Sequence, residues 1–136
     1  MSAGAVPARA AAGIPWPRVE RWLIVLIALH SYAVGFFLLF VTRWGAAFGG
    51  FGEVTPLFFA QQAGIFHFVV ATAYLIEYLR YRGVTILLTA KATAVVFLAV
   101  MAFAGPGAWS IPLSALGDSL MGLAVVLVRR RAAAAA

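Results

Sequence analysis

Four long apolar runs dominate this sequence, and each is long enough to cross a membrane as a helix. They cover residues 21–42, built on WLIVLIALHSYAVGFFLLFV, and residues 57–79, 84–104 and 111–128. A hydrocarbon core roughly 30 Å thick is crossed by about 17–25 helical residues. No water reaches backbone amides there, so each run has to satisfy its own hydrogen bonds as a helix. The breaks carry turn chemistry: GAAFGGFGEVTP at 45–56, YRG at 81–83 and GPGAWSIP at 105–112. Pro56 and Pro112 suit the first turn of the helix that follows. Connections this short make successive helices antiparallel neighbours. The expected fold is all-α: an integral membrane four-helix bundle running up-down-up-down.

Composition excludes the alternatives. Hydrophobic residues make up 65% of the 136 and charged residues 10%, against about 45–50% and about 25% in soluble domains. So few charges cannot wet a globular surface, which rules out a soluble enzyme, a nucleic-acid binder and a disordered chain. Cysteine is absent, which removes disulfides, thiolate metal sites and cysteine nucleophiles. Two His, four carboxylates and a single Lys are too few for a multi-ligand metal centre, and no metal site is expected. No phosphate loop, nucleophile elbow or HExxH motif is present. The inventory argues against an enzyme. Residues 1–20 lack the apolar stretch of a secretory signal and read as a flexible cytoplasmic tail ahead of a bundle over 21–131. Residues 132–136 read as a low-complexity tail.

The pI near 10.9 comes from arginines placed with a strong bias. Arg9, Arg18 and Arg21 precede the first run, Arg80 and Arg82 join the second to the third, and Arg129, Arg130 and Arg131 follow the fourth. With four crossings all of these fall on one side, and Arg43 alone falls on the other. Positive charge stays in the cytoplasm, so both termini are expected there. Trp22, Tyr78 and Tyr81 are expected at the inner boundary, and Trp44 and Trp109 at the outer one. Their rings favour the layer where one end is apolar and the other wet. Arg129, Arg130 and Arg131 read as headgroup anchors.

Ionisable groups inside a bilayer cost at least about 2.5–3.5 kcal/mol each and call for a partner or a purpose. At about 1.5 Å per residue, His30, His67, Lys91 and Asp118 lie between about 10 and 18 Å from the same end. Four helices therefore bring polar groups to one slab. A stripe of Ala60, Ala63, Gly64, His67, Ala71, Tyr74 and Tyr78 recurs at helical spacing and is expected to face the bundle. Ser31 with Gly35, and Ser114 with Asp118 and Gly122, make further small or polar stripes. Lys91 and Asp118, with Tyr74 nearby, form an expected polar cluster, either a buried ion pair that fixes which faces meet or a device for handling protons or ligands. His30 and His67 are hydrogen-bonded to each other, or ligate a b-type haem, or donate to a quinone. The chain otherwise requires no cofactor. Glu77 is expected to pair with Arg80 one helical turn away, and Gln61 and Gln62 to bond the 43–56 loop.

The segment GIFHFVVATAYLIEYLRYRGVTILLTAKATAVVFL, followed by IPLSALGDSLMGLAV, resembles the DoxX-like group of small four-span bacterial membrane proteins. The likeness covers roughly residues 21–130. It rests on span count, loop lengths, the GxxH ending at His67, Lys91, and the run around Asp118. The resemblance implies a component of the bacterial cytoplasmic membrane attached to electron transfer, and no catalytic residues. With a Phe-rich exterior (Phe36, Phe37, Phe40, Phe58, Phe59), the sequence predicts a non-catalytic accessory subunit of a larger respiratory or photosynthetic complex. Its partners would be the lipid bilayer and other membrane subunits, with no nucleic acid. The alternatives are a haem- or quinone-binding protein using His30 and His67, and a small transporter using Lys91 and Asp118.

Overall fold

A computed structural model describes residues 13–134. Most of the expected N-terminal tail, with Arg9, lies outside the described residues. The described chain is all-helical: α1 Trp16–Phe40, α2 Thr42–Phe48, α3 Leu57–Tyr81, α4 Thr85–Ala104 and α5 Ser110–Ala134. Four of these (α1, α3, α4 and α5) are long and apolar enough to cross a membrane.

Prolines and glycines set the ends. Pro15 caps α1 with Pro17 in its first turn, and Pro56 caps α3. Each proline sits where the helix has no use for its missing N–H. The helix α3 stops at Arg82, which adopts the left-handed conformation (φ 55). At the other end, α4 runs into Gly105, Pro106 and Gly107, the last at φ 74.

Two expectations about boundaries change. Helix α1 begins at Trp16 and not at Arg21, because the proline pair starts a helix inside the expected tail. Helix α5 continues through Ala134, since the arginines and alanines after Val128 are good helix formers. The Gly-rich 45–56 break also holds helical structure that its glycines do not predict. After a bend at Val41 the chain resumes as α2, and Thr42 Oγ1 donates to the carbonyls of Leu38 and Leu39 at 2.8 and 3.2 Å.

The four long helices alternate in direction. Tyr32 on α1 bonds Thr72 on α3 at 2.7 Å, and Gly35 lies against Gly64, so α1 and α3 are antiparallel. Lys91 meets Asp118 and Met101 shares a pocket with Ile111 and Pro112, so α4 and α5 are antiparallel too. Arg129 on α5 bonds Glu20 on α1 at 3.0 Å. The start of α1 and the end of α5 therefore share one end of the bundle, along with the α3–α4 turn. The structure is two tight pairs, α1 with α3 and α4 with α5, joined through α1 and α5.

Small residues make the first pair tight. A Cβ on Gly35 would stand 2.8 Å from the Gly64 carbonyl oxygen, and one on Gly64 would stand 2.9 Å from that of Gly35. The backbones touch there. Close packing of this kind holds membrane helices together, because lipid offers no hydrophobic drive. The stripe on α3 faces inward as expected at Gly64, Ala71, Tyr74 and Tyr78, which are buried. Ala63 is exposed, because it sits beside the crossing line and not on it.

The core is lopsided. Ile24, Ile27, Tyr74, Tyr78, Val84, Leu87 and Val125 pack together, all in the half of the bundle where α1 begins. The other half is more open. Outside, large apolar side chains stand exposed on every long helix, Phe36, Phe37, Phe40, Phe58 and Phe59 among them. Such a surface is stable in lipid and would aggregate in water.

Candidate functional site

The open half of the bundle holds a cavity of about 580 Å³ to which all four long helices contribute. Its polar groups are His30 and Ser31 from α1, His67 from α3, Lys91 from α4, and Ser114 and Asp118 from α5. Its apolar wall is built mainly by Phe97, Leu98, Leu113, Leu116 and Leu120. Gly117 lies on its wall, and a Cβ there would meet nothing within 4 Å.

Lys91 and Asp118 form the charged end. Nζ stands 2.5 Å from Oδ1, with side-chain exposures of 8% and 15%. An ammonium has three donors and a carboxylate about four acceptor sites. The pair uses one of each on the other, leaving capacity for a further partner, and both residues line the cavity. The helices position it closely: Lys91 Cβ lies 3.8 Å from where a Cβ on Gly122 would be, one turn beyond Asp118. An ion pair this dry is a costly way to hold two helices, since desolvation offsets much of the attraction.

His30 and His67 line the same cavity from adjacent helices. They do not hydrogen-bond each other, and among the described residues no other side chain bonds either. The crossing also bears on haem. His67 Cβ lies 3.0 Å from the Cβ position of Gly35, so α1 and α3 are in backbone contact at the level of that histidine. A porphyrin bracketed by His30 and His67 would have to sit between helices that already touch. The residues present do not fit a bis-histidine haem. Among the described residues no group of three or more His, Cys, Asp or Glu is placed to hold a metal ion.

Tyr74 does not line the cavity. It is 3% exposed and belongs to the packed core with Ile24 and Val125, two helical turns from His67 on the same helix. The expected anchors divide between the two ends. Trp44 stacks on Phe48 with ring centroids 5.1 Å apart, and Phe48 meets Trp109 edge-on at 5.5 Å. Trp109 Nε1 donates to the Phe48 carbonyl at 2.8 Å, and Ser110 Oγ donates to that of Gly49 at 2.6 Å. These bonds tie α2 over the α4–α5 turn. Trp22, 60% exposed, lies near the opposite end, where Arg80, Arg82, Arg130 and Arg131 are exposed too.

Three polar side chains behave otherwise than expected. Glu77 does not pair with Arg80. Its two carboxylate oxygens accept from the backbone N–H groups of Thr85 and Ile86, both at 2.9 Å, because the left-handed Arg82 folds the start of α4 back over it. Gln61 and Gln62 make no side-chain hydrogen bond to the 43–56 segment, whose own ties run to the α4–α5 turn. The missed partner is Glu20, which Arg129 engages; a lone carboxylate in an N-terminal segment gave no sign of facing a group more than a hundred residues later. The apolar wall was also hidden, since a leucine facing a cavity and one facing lipid look alike in sequence.

Fold and cavity together define a multi-pass helical membrane protein with a polar-lined cavity to which all four long helices contribute. No family model, curated protein or solved structure matches the chain.

Proposed function

We propose that this protein binds a lipophilic ligand with a hydrogen-bonding head, of the quinone class, inside the membrane. The observation that carries the reading is the cavity itself. It is large enough for a drug-sized molecule, and its polar side chains come from all four long helices beside an apolar wall. A quinone head offers carbonyl oxygens, which accept from imidazole N–H and ammonium groups. His30, His67 and Lys91 are such donors, with Asp118 holding the ammonium in place. The apolar tail would run along Phe97, Leu113 and Leu116. The resemblance to DoxX-like proteins agrees with a site of this kind in a bacterial cytoplasmic membrane, with the α1-start end of the bundle toward the cytoplasm. An accessory-subunit role draws no comparable support from the exposed phenylalanines, because lipid alone accounts for them.

Gly117→Leu tests the proposal. Gly117 lies on the cavity wall and a Cβ there would meet nothing within 4 Å, and leucine is the better helix former. Titrating the purified protein in detergent with a short-chain water-soluble quinone should show saturable binding for the wild type. The variant should keep its thermal stability and lose about tenfold or more in affinity, since the head would lose at least one hydrogen bond to a charged group. Non-saturating partition, equal in both proteins, would reject the site.

A further inference from the structure

A second cleft, sharing no lining residue with the cavity, opens at the end of the bundle where α1 begins. It has a volume of about 470 Å³ and is lined by Arg18, Arg21, Arg82 and Arg129 together with Glu20 and Tyr78. The four guanidinium groups come from three separate places: the first turns of α1, the α3–α4 turn and the last turns of α5. Arginines that merely satisfy the charge bias of a membrane protein need only point outward into the headgroup layer. These four converge on one concavity.

Contacts that order the cleft are already present. Arg129 Nη1 bonds Glu20 Oε1 at 3.0 Å, and that carboxylate is 10% exposed. The Arg82 guanidinium carbon stands 5.3 Å from the centroid of the Tyr78 ring, a distance at which a cation is attracted to the ring face. Tyr78 is itself 2% exposed and fixed in the core. Among the described residues, Arg18, Arg21 and Arg82 have no carboxylate partner; Glu20, held by Arg129, is the single acid of the cleft. Four cations against one anion leave a strong positive excess in a site whose ordering cost is partly met before any ligand arrives.

We infer that this cleft binds a phosphate-bearing anion. Arginine forks match phosphate oxygens two at a time, which an ammonium cannot do. The position, at the end of a membrane bundle and between its helices, is where anionic headgroups are held by basic pockets. One chemistry has two sources here, the phosphodiester of an anionic lipid and a free phosphate. The inference is independent of the quinone proposal, because neither site uses a residue of the other.

The test uses the full chain purified in detergent. Native mass spectrometry after incubation with equimolar phosphatidylglycerol and phosphatidylcholine should show selective retention of the anionic lipid. The double variant Arg18→Gln, Arg82→Gln should lose about tenfold in that selectivity, in keeping with the strength of charge-assisted bonds. Arg130→Gln with Arg131→Gln removes the same charge at the same end but outside the cleft, so it reports general headgroup attraction and should lower selectivity far less. A second arm adds inorganic phosphate to delipidated protein and follows thermal stability. A stabilisation abolished by Arg18→Gln, Arg82→Gln, without lipid selectivity, assigns the cleft to free phosphate. Equal loss in the two double variants would show ordinary surface attraction and overturn the inference. So would a wild type with neither lipid selectivity nor a phosphate response, a reading that needs no variant to fold.

Discussion

Lys91 and Asp118 pose the main energetic question in the bundle. Each is nearly removed from solvent, and among the described residues each has the other as its only charged hydrogen-bond partner. Removing one partner strands a charge in a low-dielectric interior, which costs about 3–5 kcal/mol. Removing both leaves two apolar side chains of similar volume and is close to neutral. Lys91→Met and Asp118→Leu should therefore each lower the unfolding free energy in mixed micelles by about 3–5 kcal/mol. The double variant should recover most of that loss. Additive losses in the double variant would show that the two do not act as a pair. The recovered protein should still fail to bind a quinone if the ammonium serves the cavity, which separates the structural contribution of the pair from its proposed use. Their shared depth was legible in the sequence because a fixed rise per residue turns position into height. Their contact was not, since rotation of each helix about its axis depends on packing partners that no single segment encodes.

The α3–α4 connection shows how one element finishes another. Helix α4 begins after Val84, whose side chain has no oxygen to offer its exposed amides, and no side chain at that position caps it. Glu77 supplies the acceptors from the previous helix. A negative group at a helix N-terminus also favours the positive end of its dipole. Space for the carboxylate is tight: a Cβ on Gly83 would stand 2.6 Å from Glu77 Oε1. Glu77→Ala should cost about 1–2 kcal/mol, the range for loss of a good cap, and Glu77→Gln less. Hydrogen exchange locates the effect. The amides of Thr85 and Ile86 should lose protection while those of mid-α3 keep theirs, and unchanged exchange at those two positions would remove the capping assignment. The sequence made the turn itself plain through YRG, but it offered Arg80 as the nearer partner for Glu77. What decided otherwise was the left-handed Arg82, a backbone reversal that places residues eight and nine positions on within reach. The helix α2 was hidden for a related reason. Gly45 and the glycines that follow argue for loop, and the helix is held partly by Trp44 stacking on Phe48 and partly by Trp109 and Ser110 of the α4–α5 turn, which are distant in sequence.

At the scale of the molecule, the apolar spans and their even number were readable from length and hydropathy alone, because a membrane imposes one thickness on every crossing. The order of packing was not. That α1 packs on α3 and on α5 while α3 and α4 touch only slightly, leaving a packed half and an open half, follows from where glycines and small residues happen to face. The bundle now makes the topology a mechanical matter as well as a matter of charge. Glu20 and Arg129 bind the start of α1 to the end of α5, so those two ends have to lie on the same face of the membrane for the bundle to form. Arg18, Arg21, Arg80, Arg82 and Arg129 to Arg131 load that face with positive charge, against Arg43 at the other, and positive charge is retained in the cytoplasm. Reporter domains fused ahead of α1 and after α5 should both report the cytoplasm in a bacterial host. A cysteine introduced at Glu53, in the exposed segment between α2 and α3, should be labelled from the outside by a membrane-impermeant reagent. Reporters on opposite sides would break the bundle described here. Reporters together on the outside would keep the bundle and reverse its orientation, moving the arginine cleft away from the cytoplasmic leaflet.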